Sequence, residues 1–289
     1  MLQAYLERIS FGDKPAPTLE VLDRLLSCHV YAIPFENLDV QLGRRLTTSP
    51  AEAYDKIVNR SRGGWCYEQN GLFGWALAEI GFETTRVAAA VMRADRGEIA
   101  EANHLCLLVN PSDADQTFLV DVGFGGSLVS PIALQEAAYD QAPFQLGLRR
   151  SGNGYWQFWE DAGDGEFSFD FRPVAADEDV LQAKCEFLQT HPSSGFVQNL
   201  VAQTRLPDAH ITLRGKVFSR ATTAGIETRI IESAEELVDT LRGTFALDVP
   251  EVADLWPRIE ARHEEVMREK AVANTYEIRS LSNTGSGDD

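Results

Sequence analysis

The chain has 289 residues, enough for two domains or three small ones. Hydrophobic residues make up 44% and charged residues 24%, an ordinary globular composition that excludes collagen, low-complexity fibres and long disorder. Asp and Glu outnumber Lys and Arg by 44 to 26, and a net charge of −18 disfavours nonspecific contact with nucleic acid or anionic lipid.

No apolar run approaches the roughly 20 residues that span a bilayer. The start, Met1 to Arg8, lacks the basic-then-apolar order of a signal peptide. The expectation is therefore a cytoplasmic protein with no membrane partner. Cys28, Cys66, Cys106 and Cys185 are scattered, which argues against a disulfide framework, and with no CxxC or HExxH motif no metal is expected.

The first third reads as a small helical bundle, residues 1–83. Thr18 caps a helix carrying Leu19, Leu22, Leu25 and Leu26 at helical spacing. Ser49-Pro50-Ala51-Glu52 combines a capping box with proline at the first position and opens a helix through Ala53, Tyr54, Ile57 and Val58. A third helix begins near Trp65 and ends at Ile80 before Gly81. From residue 84 the segments turn short and rich in Val, Phe and Tyr. The strands expected are Arg86–Met92, His104–Val109, Phe118–Phe124, Tyr155–Phe158 and Phe167–Phe171, an antiparallel sheet or barrel over residues 84–190. Residues 191–276 mix strands (Ile211–Leu213, Lys216–Ser219, Glu227–Ile231) with two helices. One opens at the capping box of Ser233 and stops at Gly243; the other carries Val252, Leu255, Trp256, Ile259 and Val266. Residues 277–289, ending in Ser, Gly and Asp, read as a disordered tail. The fold class is α+β.

Cys66 stands out for chemistry. It follows Arg62-Gly63-Gly64-Trp65 in the first turn of a predicted helix, where free amides and the helix dipole favour a thiolate. A cysteine elsewhere is usually a small buried hydrophobe. His104 and Asp121 add a second signal. If Pro111–Ala114 is a four-residue hairpin loop, Asn110 opposes Asp115 and His104 opposes Asp121, with Cβ atoms about 4.5–5.5 Å apart. Asp121 sits in an apolar strand and needs a partner, which an imidazole supplies. Cys66 as nucleophile, His104 as base and Asp121 as orienting carboxylate form a triad for acyl transfer through a thioester. That division resembles papain-like proteases and transglutaminases as well. Gly123-Phe124-Gly125-Gly126-Ser127 directly follows, and such a turn lets a ligand approach the backbone.

Ile33-Pro34-Phe35-Glu36-Asn37-Leu38-Asp39, Arg62-Gly63-Gly64-Trp65-Cys66-Tyr67-Glu68-Gln69-Asn70, Asn103-His104, Leu119 to Gly125 and His191 to Phe196 together give the chain its resemblance to the arylamine N-acetyltransferases. The likeness runs from residue 1 to about residue 270. It implies three domains (helical bundle, β-barrel-like domain, C-terminal α/β lid) around a cysteine-protease-like core. It implies a ping-pong cycle in which acetyl-coenzyme A acetylates Cys66 and an arylamine, arylhydrazine or N-hydroxyarylamine accepts the acetyl group. Cys66, His104 and Asp121 match the family's triad, and Phe35, Phe124 and Phe196 match positions lining its acceptor pocket. Gly125, Gly126 and Ser127 are the first candidates for the coenzyme's phosphates, with Arg214 or Lys216 as a lid cation. Arg62 and Glu68 read as a buried pair holding the first helical turn. The partners expected are coenzyme A and a small aromatic amine or hydrazine, on a monomer or homodimer. A macrolactam-forming amide synthase of the same fold, a thiol hydrolase or transglutaminase, and a noncatalytic binding protein are the competing readings.

Overall fold

The computed structural model describes residues 1–283. Helices α1 (Leu2–Arg8) and α2 (Leu19–Ala32) lead to a two-residue strand β1 (Phe35–Glu36) and the short α3 (Leu38–Gln41). Then come α4 (Pro50–Tyr54), continued by a π turn over Asp55–Asn59, and α5 (Cys66–Ile80). The middle of the chain holds β2 (Glu83–Val91), α6 (Arg93–Arg96), β3 (His104–Asn110), β4 (Phe118–Val120), β5 (Ile132–Ala133), β6 (Ala137–Gln141), β7 (Phe144–Gly152), β8 (Tyr155–Asp161) and β9 (Phe167–Phe171). The remainder is α7 (Glu178–Thr190), α8 (Gly195–Gln198), β10 (Val201–Leu206), β11 (Ala209–Arg214), β12 (Val217–Thr222), β13 (Gly225–Ile230), α9 (Ala234–Phe245) and α10 (Trp256–Asn283). No helix among the described residues is long and apolar enough to cross a membrane.

Two antiparallel sheets organise these elements. One has eight strands in the order β5-β4-β3-β2-β9-β8-β7-β6; the other has five, β1-β10-β11-β12-β13. The largest core joins α1, α2 and α5 to the eight-stranded sheet through Tyr5, Leu22, Leu26, Phe73, Leu77, Leu107 and Phe169. A second packs α9 and Val252 onto β10 and β11 through Leu237, Leu241, Ala202 and Leu213. A third surrounds Cys66 with Phe35, Trp65, Tyr67, Leu105, Leu181 and Cys185.

Several sequence expectations are corrected. Phe35–Glu36, inside the region read as purely helical, is an edge strand of the five-stranded sheet, pairing with Gln203 and Ala202. Ser49 makes no side-chain cap, and the helix behind it widens into the π turn, which turns Lys56 and Ile57 both inward. β4 ends at Val120 rather than Phe124, because Asp121 Oδ1 draws in the Gly123 N–H at 2.8 Å and bends the chain out of the sheet. α9 runs through Gly243 to Phe245, held by buried Leu237, Leu241 and Phe245, and closes at Ala246 in the left-handed region. Residues 277–283, expected as tail, form the end of α10, and the rest of that segment, 284–289, lies outside the described residues.

Candidate active site

Cys66 is the first residue of α5. The glycines before it press against the segment around β1: Glu36 N donates to Gly64 O at 3.0 Å and Gly64 N to Pro34 O at 3.3 Å. The chain enters the helix at Trp65, whose N–H goes to Glu68 Oε2 at 3.2 Å, so the helix start is tied to its own third residue. Cys66 is 2% exposed.

Beneath this turn lies a buried ion cluster. Lys56 Nζ stands 2.9 Å from Glu68, 3.3 Å from Asp39 and 3.4 Å from Glu36. Arg62 Nη2 stands 2.8 Å from Glu36 and 3.2 Å from Asp39. Arg62 and Glu68, expected to pair with each other, pair elsewhere: the π turn brings in Lys56, and Lys56 takes Glu68. Arg44 Nη1 adds a contact to Asp39 at 3.3 Å from the cluster's exposed edge, so three acids meet two buried bases and one at the rim. Burial pushes the Glu68 carboxyl up to about 7, with Lys56 pulling it down and Glu36 adding to the rise.

His104 opens β3 and Asp121 follows β4 directly, with imidazole Nε2 2.6 Å from Asp121 Oδ2. The cross-strand pairing inferred from a four-residue loop is off by two. Val109 pairs with Phe118 and Leu107 with Val120, which places Asp121 level with Cys106. The connection is longer because it docks on the start of α2: Ser112 N donates to Pro17 O at 2.7 Å and Leu19 N to Asp113 Oδ1 at 2.8 Å. A slip of two keeps the side-chain face, so the pair meets on a diagonal.

The Cys66 sulfur lies near enough to the same imidazole to stabilise its charged form. Nε2 is engaged by Asp121, which leaves Nδ1 for the sulfur. Burial works against a charged ring, but the Asp121 charge and hydrogen bond outweigh it and Cys66 adds to them, so His104 is pushed up from 6.5 to about 10. The ring holds its proton at neutral pH. Gly123 makes the approach of the strands to α5 possible: a Cβ there would stand 2.6 Å from both Cys66 Cα and Asn70 Nδ2.

The three phenylalanines fall into two groups. Phe124 lies 5.1 Å from the His104 ring, stacks on Phe167 at 5.2 Å and 14°, and meets Phe169 edge-on at 4.9 Å. Phe167 is 41% exposed and forms the outer end of this row. Phe196 packs on Trp65 at 5.5 Å and on Phe35 at 6.3 Å, and its carbonyl accepts from Asn37 Nδ2 at 2.9 Å. Aromatic surface therefore flanks both the imidazole and the turn that carries the sulfur.

Gly125, Gly126 and Ser127 are buried under β10. The position of a Gly125 Cβ lies 2.0 Å from Gln203 Oε1, and that of Gly126 lies 3.1 Å from Arg205 Cβ. The cations lie elsewhere. Arg214 and Lys216 line a cavity of about 480 Å³ together with Arg258, Arg262 and His263 of α10. Burial, then the charges of Arg262 and Arg96, hold the Arg214 guanidinium below its ordinary value. Glu269 also lines the cavity, Lys216 has Glu260 at 3.5 Å and Arg262 has Glu265 at 2.5 Å, whereas Arg214 has no carboxylate within ion-pair distance among the described residues. One row of side chains links this cavity to the site: Ser219 pairs with Thr212, Thr212 with Gln203 and Gln203 with Phe35. Three strand spacings, about 14 Å, separate its ends, and Phe35 bridges Gly64, two residues before Cys66.

Sequence reading assigned no role to Lys56, Asn70, Phe167 or the α10 arginines. Asn70 carried a usable signal, since four residues after Cys66 is the same helix face. Lys56 carried none, because a lysine beside a helix's apolar stripe is normally solvated.

A family model described as N-acetyltransferase matches residues 18–254. The arylamine N-acetyltransferase of Mycolicibacterium smegmatis is 35% identical over 271 residues, covering 92% of this chain and 98% of that protein. The chain belongs to the arylamine N-acetyltransferase family. The solved structure of the Mycobacterium tuberculosis arylamine N-acetyltransferase matches with a TM-score of 0.82 at 33% identity, covering 90% of this chain and 99% of that one. The Mycobacterium marinum arylamine N-acetyltransferase in complex with CoA gives a TM-score of 0.81 at 34% identity, over 91% of this chain and 98% of its own. The chain is an acetyltransferase of this kind.

Proposed function

We propose that this enzyme moves an acetyl group from acetyl-coenzyme A to the nitrogen of an arylamine, arylhydrazine or N-hydroxyarylamine by a ping-pong cycle through an acetyl-Cys66 thioester. The observation that carries it is the joint at the site: a sulfur at a helix start beside an imidazole that Asp121 grips at 2.6 Å. In the resting pair the Cys66 proton is already on His104, and the sulfur attacks the thioester carbonyl. The leaving coenzyme A sulfur takes that proton, and acetyl-Cys66 remains. The amine nitrogen then attacks the acetyl carbonyl, His104 receives the amine proton, and the Cys66–acetyl bond breaks to regenerate the sulfur. The Cys66 backbone N–H, outside the helix's internal bonding, supplies one oxyanion donor.

Phe35, Phe124 and Phe196 give the acceptor flat apolar surface, which suits an aromatic amine that is uncharged at neutral pH. For the coenzyme's phosphates we favour the Arg214–Lys216–Arg258–Arg262 cavity over Gly125, Gly126 and Ser127, because cations line the first and β10 side chains cover the second. We read residues 1–83, 84–190 and 191–276 as three domains around a cysteine-protease-like core.

The test is intact-mass measurement after incubation with acetyl-coenzyme A and no amine. One acetyl group on the wild type and none on Cys66→Ala supports the cycle; an unmodified wild type that still releases coenzyme A when amine is added overturns it.

A further inference from the structure

Asn70 stands one turn after Cys66 on the same face of α5 and is fully buried. Both hydrogens of its Nδ2 are used, one on Leu105 O at 2.6 Å and one on Asp121 Oδ1 at 2.8 Å. Its Oδ1 accepts the Val122 N–H at 3.0 Å. Leu105 is the neighbour of His104, and Val122 is the neighbour of Asp121. A single amide therefore ties the helix that presents the sulfur to both chain segments that present its partners.

We propose that Asn70 is a positioning residue that holds the Asp121 carboxylate in line with the imidazole and so keeps the Cys66–His104 pair charged and in reach. The role rests on the reading of Cys66 as nucleophile. Asp121 uses Oδ2 for His104 and Oδ1 for Asn70 and the Gly123 N–H. With Asn70 gone, Oδ1 keeps one donor and the carboxylate can rotate about its last bond, drawing Oδ2 away from Nε2. The imidazolium then loses the charge that stabilises it, and the sulfur loses the imidazolium. Neither aspartate nor serine serves in place. An aspartate would set a second carboxylate against Asp121, and a serine is too short to reach both strands.

Iodoacetamide inactivation followed against pH reads the charged pair directly. In Asn70→Ala the midpoint of that profile should rise by about one unit, and kcat should fall about 10- to 100-fold with acceptor KM unchanged, the loss of one hydrogen bond to a charged group. Gln69→Ala is the control. Gln69 is the next residue back and equally buried, but it bonds Gly64 O at 2.7 Å and the His29 ring at 3.2 Å instead of the triad. It should lower the melting temperature and leave the midpoint alone. A folded Asn70→Ala with the wild-type midpoint and kcat, or a Gln69→Ala that shifts both equally, overturns the proposal. If Asn70→Ala does not fold, the wild type still decides. Its Asn70 side-chain amide signals in NMR should exchange slowly and titrate with the alkylation midpoint, and signals insensitive to pH overturn the role. Alkylation needs no acetyl donor, so a protein that shows these shifts but takes no acetyl group would sink the acetyl-transfer reading and leave Asn70 standing.

Discussion

His104 and Asp121 meet across a diagonal: the imidazole reaches 2.6 Å to a carboxylate that has just left its strand, two positions short of the directly opposed site. Leaving the sheet is what frees both carboxylate oxygens, one for the ring and one for the Asn70 and Gly123 donors. In the proposed cycle Asp121 is the orienting group. Asp121→Asn should keep the fold and lower kcat by about 10⁴-fold through the wrong imidazole tautomer. Coenzyme A release at wild-type rate in that variant would remove Asp121 from the scheme.

Thiol labelling separates Cys66 from the other cysteines. Burial raises the thiol pKa of Cys28, Cys106 and Cys185, with nearby negative charge adding to the last two. Iodoacetamide at pH 6 should modify Cys66 alone, as read by peptide mass. Equal labelling of Cys28, the more exposed of the four, would argue against an activated sulfur.

Gly123→Ala places a methyl group 2.6 Å from the backbone of Cys66. The helix start must retreat from Asp121. Overpacking of this kind destabilises by about 1–3 kcal/mol, and activity should fall further than stability because the triad distances change first. Melting temperature and kcat measured together check this; a variant with wild-type kcat would show that the contact is slack.

The ion cluster beneath the cysteine predicts a slope of stability with pH. Glu68 titrates near 7 in the folded protein against an ordinary 4.5, so the folded state binds its proton more tightly. Stability should therefore fall as pH rises from about 4.5 to about 7, by up to about 3 kcal/mol. Glu68→Gln leaves Glu36 and Asp39 paired with Lys56 and Arg62, and Asp39 with Arg44 as well, and still offers an oxygen to the Trp65 N–H. Urea unfolding at pH 5 and pH 8 should show a flatter dependence in this variant; an unchanged slope would place the titration elsewhere.

Charge in the C-terminal cavity predicts donor specificity. Arg214→Glu should raise the KM for acetyl-coenzyme A about tenfold, leave the acceptor KM unchanged, and reduce the salt dependence of the first half-reaction. Equal effects on donor and acceptor would mean that the cavity supports the fold rather than the phosphates.

The parts of this enzyme legible from sequence are those with local rules. The α5 start at Trp65-Cys66 and its stop at Gly81, the Thr18 and Ser233 caps, and the strands of Phe, Val and Tyr all follow from spacing and turn chemistry. His104 and Asp121 pair in the sequence through an assumed four-residue loop; the register is off by two, and only the shared face survives because the slip is even. What stayed hidden depends on distant chain. α7 buries only Leu181 and Cys185, too little to show a periodic stripe. Phe35–Glu36 is too short to read as a strand. The Lys56 cluster exists only because a π turn adds one residue to a helical turn. Gly125 and Gly126 looked open in sequence, but Gln203 and Arg205 arrive from eighty residues away to cover them.

The pairing of Phe35 with Gln203 also sets the order in which this protein can become competent during synthesis. A ribosome that has released residues up to 190 has already supplied the sulfur, the ring and the carboxylate. The segment running into Gly64 still lacks its neighbour until β10 emerges, and the turn leading to Cys66 leans on that segment. The turn leading to Cys66 is thus completed by chain that is made well after the three side chains themselves.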